Sequence, residues 1–347
     1  MNVRATFARV VRQPWLMDAV LGVRWAVRAP LLTVVNYHRV ADPSEANGTD
    51  PGVIDATPAS FDRQISMLRR NFTLVGLDNL RAWRKGTALP PNPALVTFDD
   101  GYLDCYERVL PILQRYQAKA TFFIPTDYVE RRRLFWWDKV AWILKHTREE
   151  RLTLSYPSPV TLFLDQGVDN IIERVLGHVK HTFGMDIERY VAELARAAGV
   201  SWTGDQEREL ADRLLMTWEH VRALRAAGMD IGSHTRTHRP LETLDIEDLR
   251  DELVGSKADL ESALQEPIDA ISYPVGRPVA HNPVLRGEIE SAGYCLGFTY
   301  NTGVQYLMGA VDPLNIHRFA AEVGTEEPGF LLSLVVPPLG RTHPHSS

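Results

Sequence analysis

Apolar positions along this chain gather into short runs separated by amphipathic stretches. The runs Leu31-Leu32-Thr33-Val34-Val35-Asn36-Tyr37, Ala94-Leu95-Val96 and Ala120-Thr121-Phe122-Phe123-Ile124 predict buried strands. Met229-Asp230-Ile231-Gly232, Ala270-Ile271-Ser272-Tyr273 and residues 73–75, 294–300 and 315–319 predict more. Helical spacing lies between them. Pro58 opens a helix with Phe61, Ile65 and Leu68 on one face, a short helix spans 78–85, and another spans 102–116 with Leu103, Val109, Leu110 and Leu113. A helix through Leu224 stops at Gly228, Asp245 caps one that buries Leu249, Leu253, Leu260 and Leu264, and a helix over 283–292 stops at Gly293. Strand and helix in turn predict an α/β fold on a parallel sheet.

From 127 to 217 the alternation fails. Phe135, Trp136, Trp137, Val140, Trp142, Ile143 and Leu144 form an aromatic-rich helix, stretches near 171–179 and 187–198 are helical, and 151–164 is extended. This segment reads as a mainly helical insertion, a lid or one wall of a groove. Residues 1–30 hold five arginines and one acid among Phe7, Trp15, Leu16, Leu21 and Trp25, a basic amphipathic segment that suits either peripheral membrane contact or packing on the domain surface. Residues 326–347 read as a Pro- and His-containing tail.

Composition narrows the classes. In 347 residues, 45% hydrophobic and 24% charged is ordinary for a globular protein, and a net charge of −6 implies no bulk attraction to nucleic acid. Two cysteines, Cys105 and Cys295, make no disulfide framework. No apolar stretch reaches the roughly 20 residues of a membrane span. Arg9, Arg12, Asp18, Arg24 and Arg28 break the first apolar run, so no secretory leader is legible and a cytoplasmic location is expected. There is no phosphate loop, nucleophile elbow or dinucleotide fingerprint.

The chemistry concentrates in two stretches. Thr97-Phe98-Asp99-Asp100-Gly101-Tyr102 puts adjacent carboxylates where a strand ends and a helix begins, the end of an α/β sheet at which ligands bind. Two such carboxylates need a nearby cation to stay ionised cheaply; the alternative is ordinary acidic residues at a helix start. Ser233-His234-Thr235-Arg236-Thr237-His238 places imidazoles at i and i+4, which on one helical turn share a face. Two His and one Asp make three protein ligands, leaving a position for water.

Together and in this order, the two stretches resemble the first two motifs of the polysaccharide deacetylases (carbohydrate esterase family 4, the NodB-homology fold). The resemblance covers about 31–126 and 218–320. It implies a deformed parallel (β/α) barrel of about seven strands over 31–126 and 218–325, interrupted by the insertion at 127–217. It implies removal of N-acetyl groups from the amino sugars of a polysaccharide or lipid-linked glycan precursor, with one divalent metal: zinc, or alternatively cobalt, manganese or nickel. Carried onto this chain, Asp99 is the base and Asp100, His234 and His238 are the ligands. Tyr273-Pro274-Val275-Gly276 takes the place of the family's oxyanion motif, with the Val275 N–H as donor, although the family commonly has an aromatic residue at that position and many members carry an upstream Arg missing here. For the acid, His38 in Tyr37-His38-Arg39-Val40 resembles that of the biofilm poly-N-acetylglucosamine deacetylases, the subgroup this chain most resembles, and is the expected acid; His317, which matches the commoner pattern, is the alternative. Arg318 alternates with His317; if it faces the pocket it can pair with Asp99 in place of the missing Arg. Trp136, Trp137 and Trp142 are candidates for stacking on sugar rings, with core packing the expected fate of most. Competing readings are a sugar deformylase or O-acetyl esterase, a non-catalytic glycan-binding relative, or a membrane-docked scaffold. The intact Asp99, Asp100, His234 and His238 argue against a non-catalytic relative.

Overall fold

The computed structural model describes residues 31–325 apart from 47, 202, 280–281, 301–303 and 308–310, together with 22, 329–331 and 334. The expectations for the 1–30 segment and the 326–347 tail fall almost wholly outside the described residues. Among the described residues no helix is long and apolar enough to cross a membrane.

The strands are β1 (Leu31–Tyr37), β2 (Arg39–Val40), β3 (Ile54–Ala56), β4 (Thr73–Leu74), β5 (Pro93–Phe98), β6 (Thr121–Ile124) and β7 (Arg151–Leu154). They continue as β8 (Val160–Phe163), β9 (Asp230–Ser233), β10 (Ala270–Ser272), β11 (Leu296–Phe298), β12 (Gln305–Tyr306) and β13 (Phe319–Ala320). The main sheet runs β11-β10-β9-β6-β5-β1-β12, with β13 also on β1 and β4 also on β5. All its pairings are parallel except β1 with β12. A bridge from Phe298 to Ile316 links β11 to the segment that runs into β13, so the ladder curls back on its first strand. The fold is the deformed (β/α) barrel expected.

Alternation sorts each strand into two faces. Val34, Leu95, Phe123, Leu296, Phe298 and Ile316 form one apolar cluster on the concave face. Val35, Tyr37, Val96, Phe98, Phe122, Ile124, Ile231 and Ile271 point outward into the larger cluster under the helices. The helix Pro58–Asn71 starts as its sequence dictates: Thr57 and Ser60 form a capping box around a proline in the first turn. The last strand is shorter than 315–319 predicts, with regular pairing only at Phe319–Ala320.

Among the described residues, 127–217 add no strand to the main sheet. They contribute helices Trp136–His146, Val168–His181, Ile187–Ala197 and Gly204–Leu214 and the antiparallel pair β7–β8. Trp136 and Trp137 are buried, and Trp142 stacks on His146.

Tyr273 packs as core rather than as a pocket wall. Its hydroxyl donates to the Leu314 carbonyl at 2.9 Å, under the backbone of β11. A Cβ at Gly297 would lie 1.9 Å from that hydroxyl oxygen and 2.7 Å from the Leu314 carbonyl. We therefore expect Gly297→Ala to lower unfolding free energy in urea by at least the roughly 1–3 kcal/mol of an overpacked core, and Tyr273→Phe to relieve part of that loss. An unchanged midpoint in Gly297→Ala would contradict this packing.

Candidate active site

β1, β5, β9 and β10 end at the same rim, and each delivers a polar residue to it. Asp99 and Asp100 follow β5, His38 follows β1, His234 follows β9, and Ser272 closes β10. The backbone there is strained: Asp100, Thr235, His238 and Val275 all have positive φ, at 70°, 64°, 54° and 62°. Non-glycine residues enter that region at a cost of about 1–3 kcal/mol each and cluster where function requires it.

Asp99 does not serve as a helix cap. Arg318 grips it with two bonds, Nη1 to Oδ1 at 2.9 Å and Nη2 to Oδ2 at 2.8 Å. Asn36 Nδ2 and Ser272 Oγ each donate to Asp99 Oδ2 at 3.2 Å. Arg318 is fully buried and also donates to Asn36 Oδ1, Ser272 Oγ and the Thr299 carbonyl. Burial alone would push the Asp99 carboxyl up; the charge and hydrogen bonds of Arg318 override it and hold the group far below the usual carboxylate range. Of His317 and Arg318, the arginine turns inward, taking the place of the missing upstream cation.

Asp100, His234 and His238 present ligand atoms that all lie within 4.8 Å of one another. His234 Nε2 and His238 Nε2 stand 3.5 and 3.4 Å from Asp100 Oδ1. The two rings cross at 79° with centroids 4.5 Å apart. His234 Nδ1 donates to the Ser272 carbonyl at 2.8 Å, which fixes the tautomer and leaves Nε2 its lone pair. Asp100 Oδ1 is buried and accepts no hydrogen bond among the described residues. Burial, and then the neighbouring His234, pushes His238 down to about 3, so it is neutral, the form that binds metal. An orphaned carboxylate oxygen facing two imidazole nitrogens fits a divalent cation. The histidines do not share a helical turn, contrary to their i, i+4 spacing. They sit on an irregular loop after β9, and the left-handed turns at Thr235 and His238 bring the rings together.

His38 keeps 21% of its side chain exposed at the rim, and its Nδ1 lies 3.0 Å from Asp55 Oδ2. Burial pulls His38 down, but the charge and hydrogen bond of Asp55 outweigh it and raise the group to about 9. The next residue, Arg39, turns away to Asp104 at 2.8 Å. His317 is half-buried, its main-chain N–H donates to Gln305, and burial lowers its pKa. Among the described residues His38, and not His317, thus has a carboxylate partner. Val275 sits in the Pro274–Gly276 turn that follows β10.

Sequence reading missed Asp55, Asn36 and Ser272 as parts of this site. Asn36 and Ser272 carried a signal, being polar residues near the ends of apolar strands. Asp55 carried none. Trp137, from the insertion, packs its ring 4.5 Å from that of His238 and donates its indole N–H to the Tyr102 hydroxyl at 2.9 Å, which donates in turn to Asp138.

Comparison with known proteins agrees with this fold. A family model described as polysaccharide deacetylase matches residues 87–296. A poly-beta-1,6-N-acetyl-D-glucosamine N-deacetylase of Escherichia coli (strain K12) is 30% identical over 115 residues, 33% of this chain and 15% of that protein's length. The match thus spans under a sixth of that curated relative. The Streptococcus pyogenes deacetylase PplD, solved in complex with acetate, superposes with a TM-score of 0.56 at 19% identity, covering 88% of this chain and 99% of PplD. IcaB from Ammonifex degensii gives 0.54 at 17% identity, covering 89% and 98%. At such identities these superpositions establish the shared fold.

Removing Arg318 strands the Asp99 charge. Arg318→Ala should cost about 3–5 kcal/mol in denaturant unfolding at neutral pH, and Asp99→Asn in the same background should recover part of it. Because the folded pKa of Asp99 is depressed, its stabilisation is complete above the ordinary carboxylate pKa and fades as pH falls toward the folded value. The penalty of Arg318→Ala should therefore shrink in acid. A penalty that is small, or equal at all pH values, would contradict the pairing.

Proposed function

Because the chain belongs to the polysaccharide deacetylase family, we propose that it removes N-acetyl groups from amino sugars of a polysaccharide or lipid-linked glycan precursor, using one divalent metal ion. The observation that carries this reading is the convergence of Asp100, His234 and His238 beside Asp99, held by Arg318, and His38, held by Asp55. The E. coli relative's name, an N-deacetylase of a glucosamine polymer, supports the same substrate class.

Asp100, His234 and His238 would hold the ion, and zinc suits two imidazoles and a carboxylate, as do cobalt, manganese and nickel. Bound there, the ion would acidify a water and supply positive charge against the charge that develops on the acyl group. The protein's own groups manage the protons. Asp99, held in place by Arg318, accepts the proton of the attacking water. His38 donates a proton to the leaving amine from Nε2, because Nδ1 is committed to Asp55. The Val275 N–H is the protein's donor to the developing oxyanion. Trp137 and the buried Trp136 act by packing rather than by stacking on sugar.

One divalent ion per chain is expected by elemental analysis, with occupancy lowered in His234→Ala and in His238→Ala. Full occupancy in the double variant would refute the ligand set. His38→Ala should retain the metal and lose far more rate on amide substrates than on an activated ester, whose leaving group needs no proton; His317→Ala should be mild. The reverse pattern would move the acid to the last strand. The protonated form of His38 persists below its raised pKa, so amide hydrolysis should decline as pH rises toward 9, and a bound cation shifts that limb downward. Asp55→Asn removes the raising charge and should move the limb further to acid; a limb unmoved in Asp55→Asn would show that His38 does not set it.

A further inference from the structure

The loop that carries both histidines is strained at Thr235 and His238, so something outside it must hold its shape. The helical stretch from Ile246 to Leu264 is packed against it and contains a π-helical turn at Asp251–Gly255. Such turns insert one residue into a helix and are frequent at functional sites. Here the turn carries Glu252, which is only 3% exposed. Its Oε2 accepts the Arg236 N–H at 2.8 Å and the Thr237 N–H at 2.9 Å, and its Oε1 accepts from the Thr237 hydroxyl. Two main-chain donors and a hydroxyl, all from the residues between the two histidines, converge on one buried carboxylate.

The same stretch grips the loop twice more. Ser256 Oγ lies 2.8 Å from Ser233 Oγ, which accepts the Thr235 N–H at 3.0 Å. Arg236 lies across Gly255 and reaches Asp259 with Nε and Nη2, both at 3.0 Å. A Cβ at Gly255 would come within 2.4 Å of Arg236 Nε, so the glycine is what lets the guanidinium cross the helix.

We propose that Glu252 is a positioning residue, a buried carboxylate that clamps the backbone between His234 and His238 and so presets the spacing of the two imidazoles for metal. The inference rests on the reading of Asp100, His234 and His238 as the metal site. Glu252 acts through the loop's main chain, so its removal frees the loop to relax toward ordinary backbone angles and the rings to drift apart. A carboxamide still has one oxygen for the two N–H donors and keeps most of the clamp; a methyl group keeps none.

The test measures metal affinity, not turnover. Zinc binding to the wild type, Glu252→Ala and Glu252→Gln is titrated in competition with a chromogenic chelator, and the cobalt-substituted proteins are compared by visible absorption. Glu252→Ala should bind zinc about tenfold or more weakly, the usual scale for outer groups that orient ligands, with an altered cobalt band. Glu252→Gln should stay near wild type in both. Thermal unfolding of the metal-free proteins is the control: a loss confined to stability, with wild-type affinity and cobalt spectrum in Glu252→Ala, overturns the proposal. If Glu252→Ala does not fold, Glu252→Asp replaces it; a methylene shorter, it should weaken zinc similarly, and unchanged affinity there overturns the proposal as well. Failure of the wild type itself to bind zinc or cobalt would instead refute the metal site on which the inference rests.

Discussion

A guanidinium sealed inside the barrel is the constraint on which the site depends. Arg318 lies one residue before β13, yet it binds Asp99 after β5, Asn36 on β1 and Ser272 on β10. β5 and β10 are separated in the sheet by β6 and β9, so these contacts are possible only across a curled, concave face. Arg318 and Asp99 share a desolvated space in which neither is tolerable alone. The pair fixes where the Asp-Asp step leaves β5, and with it the direction in which Asp100 faces the histidines. Below it the concave face is apolar, with Val34, Leu95, Phe123 and Phe298; above it the face opens to the rim.

Strain and support divide between different parts of the chain. The residues in left-handed backbone, Asp100, Thr235, His238 and Val275, lie in turns just beyond strand ends. Their supports lie in regular elements: Ser272 in β10, Glu252 and Ser256 in one helical stretch, Trp137 in an insertion helix. Loops supply the reactive groups, and packed elements remove their freedom. The insertion takes part directly, since Trp137 contacts His238 while tied through Tyr102 to the helix start beyond the Asp-Asp step.

What the sequence made legible was local. Short β-branched runs, Pro58 at a helix start and glycines at helix ends set the strand–helix order without reference to distant residues. The pairing of Asp99-Asp100 with His234 and His238 was legible because four chemically costly residues fall in two compact motifs. The route by which the histidines converge was not: i, i+4 spacing suggested a helical turn, whereas two positive-φ residues do the work in a loop, a choice set by Glu252 and Ser256 from some 20 residues further on. Asp55 was equally silent, an acid in a polar loop until a short strand pair, β2 with β3, brings it to His38. Arg318 lay between these cases; alternation allowed either it or His317 to face inward, and the unmet charge of Asp99 decided between them.

The account stands most directly on acetate release. Protein stripped of metal by a chelator and dialysed is incubated with N-acetylated glucosamine oligomers, and acetate is measured before and after adding an equivalent of zinc per chain. The account predicts little release from the stripped protein and recovery once zinc matches the chain concentration. Undiminished release from protein shown to be metal-free would contradict it.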